Sequence, residues 1–258
     1  MSQNNDSNKD SNKVDTKLIQ QLTYLNLPFI QENYEDFTAQ AVAKQWSHVE
    51  YLTRLIDGEN AARQDRATKR RVEEAHFPLL KSLEQFDFTW PAKINRPQIQ
   101  NLFRLKFIEE KANVIFVGGV GLGKSHLSIA LSHAACLAGH RVVFTTAIKS
   151  INHLSAAQNA GRFPKALSYY LKPDLLVLDE LGYLPIDKHG ADLLFQIISQ
   201  RYERGAIVLT TNKAFKHWPS IFNNDSTLTS AILDRLLHHA ETVVLEGKSF
   251  RMKDRIDP

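Results

Sequence analysis

One octapeptide and its two flanks narrow the possible folds of this chain more than any other feature. Val114-Ile-Phe-Val117 is a short apolar run that leads into Gly118-Gly-Val-Gly-Leu-Gly-Lys-Ser125, which has the form G-x-x-x-x-G-K-[ST]. A helical stretch, His126–Leu137, follows it. Strand, glycine-rich turn and helix in that order is the context in which this motif cradles phosphate. Gly118, Gly121 and Gly123 let the backbone curl until successive N–H groups converge on an anion. The following helix presents its positive N-terminal end to the same anion. The candidate ATP-binding stretch is therefore Gly118, Gly119, Val120, Gly121, Leu122, Gly123, Lys124, Ser125 and His126. Within it Lys124 reaches the β- and γ-phosphates and Ser125 supplies a hydroxyl to Mg²⁺.

Two further strand tips carry groups of matching chemistry. Leu175-Leu-Val-Leu178 reads as a buried strand and ends in Asp179-Glu180. In a sheet covered on both faces, two acids at a strand end need a reason. Asp179 is the candidate for the Mg²⁺ shell. Successive strand side chains point to opposite faces, which leaves Glu180 to orient and deprotonate an attacking water. Ala206-Ile-Val-Leu-Thr-Thr211 ends in Asn212, a neutral amide able to bond the water or the γ-phosphate without adding charge. Asp234-Arg235 lies in the helical stretch Ser226–Leu237. From spacing alone, Arg235 reads first as a surface or intrahelical ion pair, and otherwise as an arginine serving a nucleotide on a neighbouring subunit.

The remaining organisation follows from periodicity and composition. The chain has 258 residues, 43% apolar and 23% charged, ample to bury a core in one or two domains. It contains no apolar run of about 18 residues, so no membrane span is expected. Met1–Asp15 is polar, without the apolar segment of a secretory signal, and reads as a disordered tail. Cys136, the one cysteine, excludes an intramolecular disulfide and a cysteine-cluster zinc site. A cytoplasmic location is the resulting expectation. Residues 16–90 read as a helical domain, with Leu18, Leu22 and Leu25 on one face and Val42, Trp46, Val49, Leu52 and Ile56 at spacings of three and four. Pro28 separates a first helix from a short second one, and a long helix is expected from about Ala39 towards Ala75, bent near Gly58. Its basic stretch, Arg54 to Arg71, reads as a solvated face.

Thr89–Pro97 carries two prolines and marks the expected domain boundary, with residues 91–258 as the second domain. There, apolar runs at Asn113–Val117, Arg141–Thr145, Leu175–Leu178, Ala206–Thr210 and Thr242–Leu245 alternate with amphipathic stretches. This pattern predicts an α/β fold with a parallel five-stranded sheet between helices. The net charge of +4 is unevenly placed: residues 96–258 hold 20 basic and 14 acidic side chains, residues 1–95 hold 12 and 14. The C-terminal part is the better candidate for an anionic partner. Trp46, Trp90 and Cys136 read as core residues, and Trp218 as a loop anchor. His238-His239 resembles a metal pair, but adjacent residues on a helix point about 100° apart, which argues against a shared ion.

Taken together the motifs resemble the AAA+ ATPases, and most closely the IstB-like ATP-binding proteins, the transposition helpers of insertion sequences, which are related to DnaC-type helicase loaders. The resemblance covers the chain from about Leu18. It is carried by Ala75-His-Phe-Pro78, Lys81-Ser-Leu-Glu-Gln-Phe86, the phosphate loop, Leu175–Pro185, Leu194-Phe-Gln196, Arg201-Tyr-Glu-Arg204, Thr210-Thr-Asn212, Ala231–Ala240 and Gly247-Lys-Ser-Phe-Arg251. It implies Walker A roles for Lys124 and Ser125, Walker B roles for Asp179 and Glu180, a sensor role for Asn212, an arginine finger at Arg235 and a late sensor-type arginine at Arg251. It also implies a small all-α N-terminal domain that docks a partner, and no C-terminal lid. Two positions depart from the family: Gly119 replaces a proline and Leu122 a threonine.

The implied activity is ATP hydrolysis to ADP and phosphate, with ATP and Mg²⁺ as cofactors. The implied partners are duplex DNA, the transposase of the same element through residues 16–90, and further copies of this chain, with ATP sites at subunit interfaces. DNA contact should fall mainly on phosphates, with Lys149, Arg162, Lys165, Lys213 and Lys216 as candidates. A replicative helicase loader shares the core motifs and is the alternative. A P-loop kinase fits Asn212 and Arg235 less well, and a non-hydrolysing scaffold fits Glu180 less well.

Overall fold

A computed structural model of the chain describes residues 16–255; the expected disordered tail, residues 1–15, lies outside the described residues. The chain divides into two compact units, one ending at Lys69 and the other starting at Arg70.

The first unit is helical: α1 (16–24), α2 (Pro28–Lys44) and the body of α3 (His48–Glu74). The single helix expected from Ala39 onward is two helices. Gln45 adopts a left-handed conformation at φ 52°, and the N–H groups of Gln45 and Trp46 turn back to Val42 O and Ala41 O, which closes α2. Ser47 Oγ then accepts the Glu50 N–H and opens α3. Helix α3 runs through Gly58, where a bend was expected, without interruption. Glycine is needed there for space, because a Cβ would come within 2.1 Å of the Phe29 ring. Helix α2 has no capping side chain at its own start, where Leu27 precedes Pro28. Glu59 of α3 supplies the acceptor instead. Its buried carboxylate takes the N–H groups of Phe29 (2.9 Å) and Ile30 (3.3 Å) and pairs with Arg66 at 2.9 Å. Val42 and Val49, 77% and 74% exposed, face solvent with Leu52 and Ile56, so the periodic apolar face is a surface and not a core. Trp46 is half-buried, with the Arg54 guanidinium 4.2 Å from its ring centre.

The second unit holds β1 (Asn113–Gly118), β2 (Val142–Thr146), β3 (Leu175–Leu181), β4 (Ala206–Thr211) and β5 (Ala240–Leu245), all parallel in the order β2-β3-β4-β1-β5. Alternate side chains feed two cores, as a sheet covered on both faces requires. Val114, Phe116, Val177 and Val208 pack with α4 (Arg96–Leu102), α5 (Lys106–Glu109) and α6 (Lys124–Leu137). Ile115, Leu176, Leu178 and Leu209 pack with α7 (Ala147–Asn159), α8 (Phe163–Leu171), α9 (Lys188–Arg201) and α10 (Ser226–Leu237). Asn95, Thr146, Asp187 and Asp225 cap α4, α7, α9 and α10, each accepting a backbone N–H of the first turn.

Residues 75–95 belong with this unit and are not helical, contrary to the expected boundary near residue 90. The physical reason is that they protect the sheet. Ala75 O accepts the Phe144 N–H of edge strand β2 at 2.9 Å, and Lys93 exchanges two backbone hydrogen bonds with Glu246 just past β5, each 3.1 Å. Ala75 and Phe86 are buried in the second core. The Ala75 contact occupies one backbone donor of edge strand β2, which reduces what that edge offers to another chain.

Arg201 is 1% exposed and ties the lower end of the sheet together. Its Nη1 donates to Tyr170 O, Leu171 O and Pro173 O, and its Nη2 to Asp174 O and Ala206 O. Burial lowers its pKa to about 10, partly offset by Asp174. Cys136 and Trp218 are fully buried, and the Trp218 indole N–H donates to Lys213 O at 3.2 Å. Trp90 is half-buried and donates to Lys248 O at 2.9 Å. No helix among the described residues is long and apolar enough to cross a membrane.

The Glu59 cap generates a prediction. Glu59→Ala leaves two α2 amides without their acceptor and should destabilise the helical unit by about 2 kcal/mol. Hydrogen exchange should show faster exchange in α2 with strands β1–β5 unchanged. Unaltered α2 protection would contradict the cap.

Candidate nucleotide site

The phosphate loop leaves β1 at Gly118 and enters α6 at Lys124. Three of its glycines are fixed by space or conformation. A Cβ on Gly118 would meet Leu245 O at 2.3 Å. A Cβ on Gly121 (φ +77°) would overlap Ser249 Oγ, and one on Gly123 (φ +89°) would lie 2.5 Å from the Phe86 ring. Gly119 differs: its nearest neighbour would be Leu122 Cδ1 at 3.6 Å, an ordinary contact. Lys124 is buried, with Nζ folded back onto Gly119 O at 2.7 Å. Burial pushes its pKa down to about 8, against the pull of Asp179 and with a smaller push from Arg251. Lys124 thus keeps its charge at neutral pH by a smaller margin than an exposed lysine.

Asp179 is 5% exposed at the end of β3. Ser125 Oγ donates to its Oδ1 at 3.0 Å and Thr210 Oγ1 donates to the same oxygen. Thr210 Oγ1 also accepts the Glu180 N–H at 2.9 Å. Between Leu178 and Leu181 the β3–β4 register shifts, and Glu180 sits at φ 62° with its side chain exposed. A bulge of this kind re-aims one side chain without moving the strand, so Asp179 stays in the sheet while Glu180 points elsewhere. Asn212 follows β4; its Oδ1 is buried and has no hydrogen-bond partner among the described residues.

A cavity of about 340 Å³ adjoins the loop. Its walls include loop residues 121–126, and also Phe86, Trp90, Tyr183, Phe250 and Arg251. Phe250 N–H donates to Gly121 O at 2.9 Å, which fastens the residues after β5 to the loop. His126 turns its Nε2 to Ser82 O at 2.9 Å, and burial lowers its pKa. Burial and the charges of Glu180 and Asp179 raise the pKa of Tyr183.

Thr210 and the wall from residues 79–91 carry no role in the sequence reading. Phe86, Phe88 and Trp90, three aromatics in a proline-flanked stretch close to the phosphate loop, are the available signal. The residues present suit a nucleotide and its cation: a backbone cradle with no room for Cβ atoms, a buried lysine, an unpartnered amide oxygen, and a hydroxyl and carboxylate of the hard-oxygen type that Mg²⁺ prefers.

Arg235 lies elsewhere. Its guanidinium stacks 5.0 Å from the Phe195 ring centre and donates to Ala231 O at 2.9 Å. It borders a small cleft with Asn113 and Ile207, which open β1 and β4. The phosphate loop leaves the other end of β1, about 17 Å away along a strand of this length. Arg235 therefore does not join the loop of its own chain. Of the candidate DNA contacts, Lys149 borders one cleft, and Arg162 and Lys165 border a second that shares His153 and Tyr169 with it. The Lys149 cleft also reaches Asp179 and Glu180. Lys213 and Lys216 follow β4 instead, and Lys213 Nζ is bonded to Ser220 Oγ at 3.0 Å.

Residues 20–257 match the model of the IstB-like ATP binding protein family of IS21-type elements. This chain belongs to that family. The ATP-binding protein of insertion sequence IS5376 from Geobacillus stearothermophilus is 37% identical over 231 residues, 90% of this chain and 92% of that one. That of IS21 from Pseudomonas aeruginosa is 38% identical over 234 residues, 91% and 88% of the two chains. Among solved structures, the DnaC helicase loader aligns at 22% identity with a TM-score of 0.51, over 64% of this chain and 96% of that one. AMPPCP-bound DnaA from Aquifex aeolicus aligns at 20% and 0.54, over 67% of this chain and only 52% of that one. The second unit thus has the AAA+ fold, and the chain is an ATP-binding P-loop ATPase of the IstB-like family.

The loop contrast is testable by nucleotide binding and thermal unfolding. Gly119→Ala should leave ATP affinity within about twofold and raise stability by about 0.5 kcal/mol, because it only restricts the unfolded chain. Gly121→Ala should lose most ATP binding. Equal losses in both would contradict the assigned difference.

Proposed function

We propose that this protein is an ATP-dependent transposition helper: it assembles on duplex DNA with ATP, stimulates the transposase of its element, and resets by hydrolysis. Lys124 and the amides of the loop would hold the triphosphate. Ser125 and Asp179 would hold Mg²⁺, which when bound neutralises charge growing on the β- and γ-phosphates. Glu180 orients the attacking water and accepts its proton. Asn212, with its amide oxygen free, accepts a second hydrogen bond from that water. Arg235 of one subunit serves the nucleotide of the next and stabilises charge in the transition state.

The single observation that carries the reading is the separation within one chain between the Ser125–Asp179–Thr210 cluster and Arg235. An arginine at the far end of the sheet is useful to hydrolysis only across an interface between copies. DNA contact is assigned to Lys149, Arg162 and Lys165, with Lys213 and Lys216 as a second group, on charge and, for Lys149, on the cleft that reaches Glu180. The helical residues ahead of the ATPase unit are assigned to transposase contact. The exposed Val42, Val49, Leu52 and Ile56 favour this, because an apolar strip of this kind suits a protein partner. Such a role is exercised where the DNA is, in the cytoplasm.

Steady-state ATP hydrolysis with and without duplex DNA, with mass in solution followed in parallel, tests the proposal. ATP and DNA together should produce a large assembly and change turnover. Glu180→Gln should reduce kcat by 10²-fold or more, about 3 kcal/mol, with ATP binding retained. Lys149→Ala should weaken DNA binding alike across sequences and shallow its salt dependence by about one charge. A monomer indifferent to DNA would overturn the proposal in favour of a loader or another role.

A further inference from the structure

At the end of the sheet opposite the phosphate loop, two histidines and a glutamate come together. His238 and His239 would diverge by about 100° if they lay within a helix. They do not: α10 stops at Leu237, His238 caps it, and His239 leads into β5. The imidazole rings lie 4.1 Å apart, centre to centre. Glu203 approaches from the turn after α9, its Oε1 4.0 Å from His239 Nε2. One ligand atom from each of Glu203, His238 and His239 lies within 4.8 Å of the other two.

Both supports are rigid. Asn113 donates its backbone N–H to His239 O (2.7 Å) and its Nδ2 to Leu236 O (3.0 Å), so the end of α10 is pinned to β1. The 201–205 turn is closed by the Arg204 and Gly205 N–H groups on Arg201 O, and Arg201 is itself locked by five backbone carbonyls. The Tyr202 hydroxyl and His238 Nδ1 are hydrogen-bonded at 2.8 Å. In the tautomer in which Nδ1–H donates to that hydroxyl, Nε2 is free as the ligand atom, the usual arrangement behind a metal-bound histidine.

We propose that Glu203, His238 and His239 form a surface site for a late first-row divalent cation such as Zn²⁺ or Ni²⁺, with water completing the coordination. Two imidazoles and one carboxylate select such ions over Mg²⁺, which prefers oxygen ligands alone. Ligand atoms about 2.1 Å from a tetrahedral ion lie about 3.4 Å apart. From within 4.8 Å, the three exposed side chains would rotate inward to reach that spacing. An ion there would tie the turn after α9 to the end of α10, one turn beyond Arg235, and would be separate from the oxygen site of Ser125 and Asp179.

Isothermal titration of the tag-free full-length protein with NiCl₂ and with ZnCl₂ tests this, without nucleotide and with excess Mg²⁺ present. One equivalent should bind. His238→Ala, His239→Ala and Glu203→Gln should each weaken binding about tenfold or more, with ATP affinity unchanged. At about a hundredfold excess over Kd the wild-type Tm should rise by roughly 5 °C, and that of the His238→Ala/His239→Ala double variant should not. Absence of binding, or stoichiometric binding retained in the double variant, would overturn the proposal.

Discussion

Much of the nucleotide site hangs on one buried carboxylate. Asp179 closes β3 inside a sheet covered on both faces, where an ion without partners would cost several kcal/mol. Its partners are hydroxyls from two other elements, Ser125 at the start of α6 and Thr210 near the end of β4. Satisfying this group therefore ties the phosphate loop, β3 and β4 together. Thr210 extends that control by one residue, because the hydroxyl that donates to Asp179 also accepts the Glu180 amide. The bulge that follows turns Glu180 out of the sheet. Two carboxylates can thus be neighbours in sequence and still face different surroundings.

The parallel sheet and the loop were legible because their signals are local. Apolar runs of five or six residues between amphipathic stretches have few other uses, and Gly118, Gly121 and Gly123 occupy places where no Cβ fits. Other features were hidden because they depend on residues far apart in the chain. Gln45 ends α2 in a left-handed turn that its residue type does not announce. Glu59 caps a helix that begins 31 residues before it. Residues 75–95 have too little periodicity to reveal that they bond to β2 and to the residue after β5 and line the nucleotide cavity. Thr210 looks like any strand threonine until Asp179 is placed beside it. For His238 and His239 the spacing rule of a helix does not apply, because the helix expected to end at Leu237 does end there and the two residues follow it.

The two ends of the sheet have different work. The C-terminal strand tips gather the loop, Asp179, Glu180 and Asn212. The opposite end holds Arg235, together with the Arg201 lock and the Asn113 ties that keep it stiff. A single copy has all the groups needed to bind a nucleotide but keeps its arginine a strand length from its own loop. On this account turnover belongs to a pair of neighbouring copies. Assembly on DNA would then control hydrolysis simply by bringing the two ends together, with no rearrangement inside the ATPase unit.

A mixing experiment measures this most directly. Glu180→Gln and Arg235→Ala, each inactive alone and each still able to bind ATP, are combined in equal amounts with ATP and duplex DNA. In a mixed assembly, about one site in four joins an intact Glu180 to an intact Arg235 of the neighbour, so about a quarter of wild-type turnover should return. No recovery, in mixtures whose mass shows that mixed assemblies have formed, would contradict a shared site.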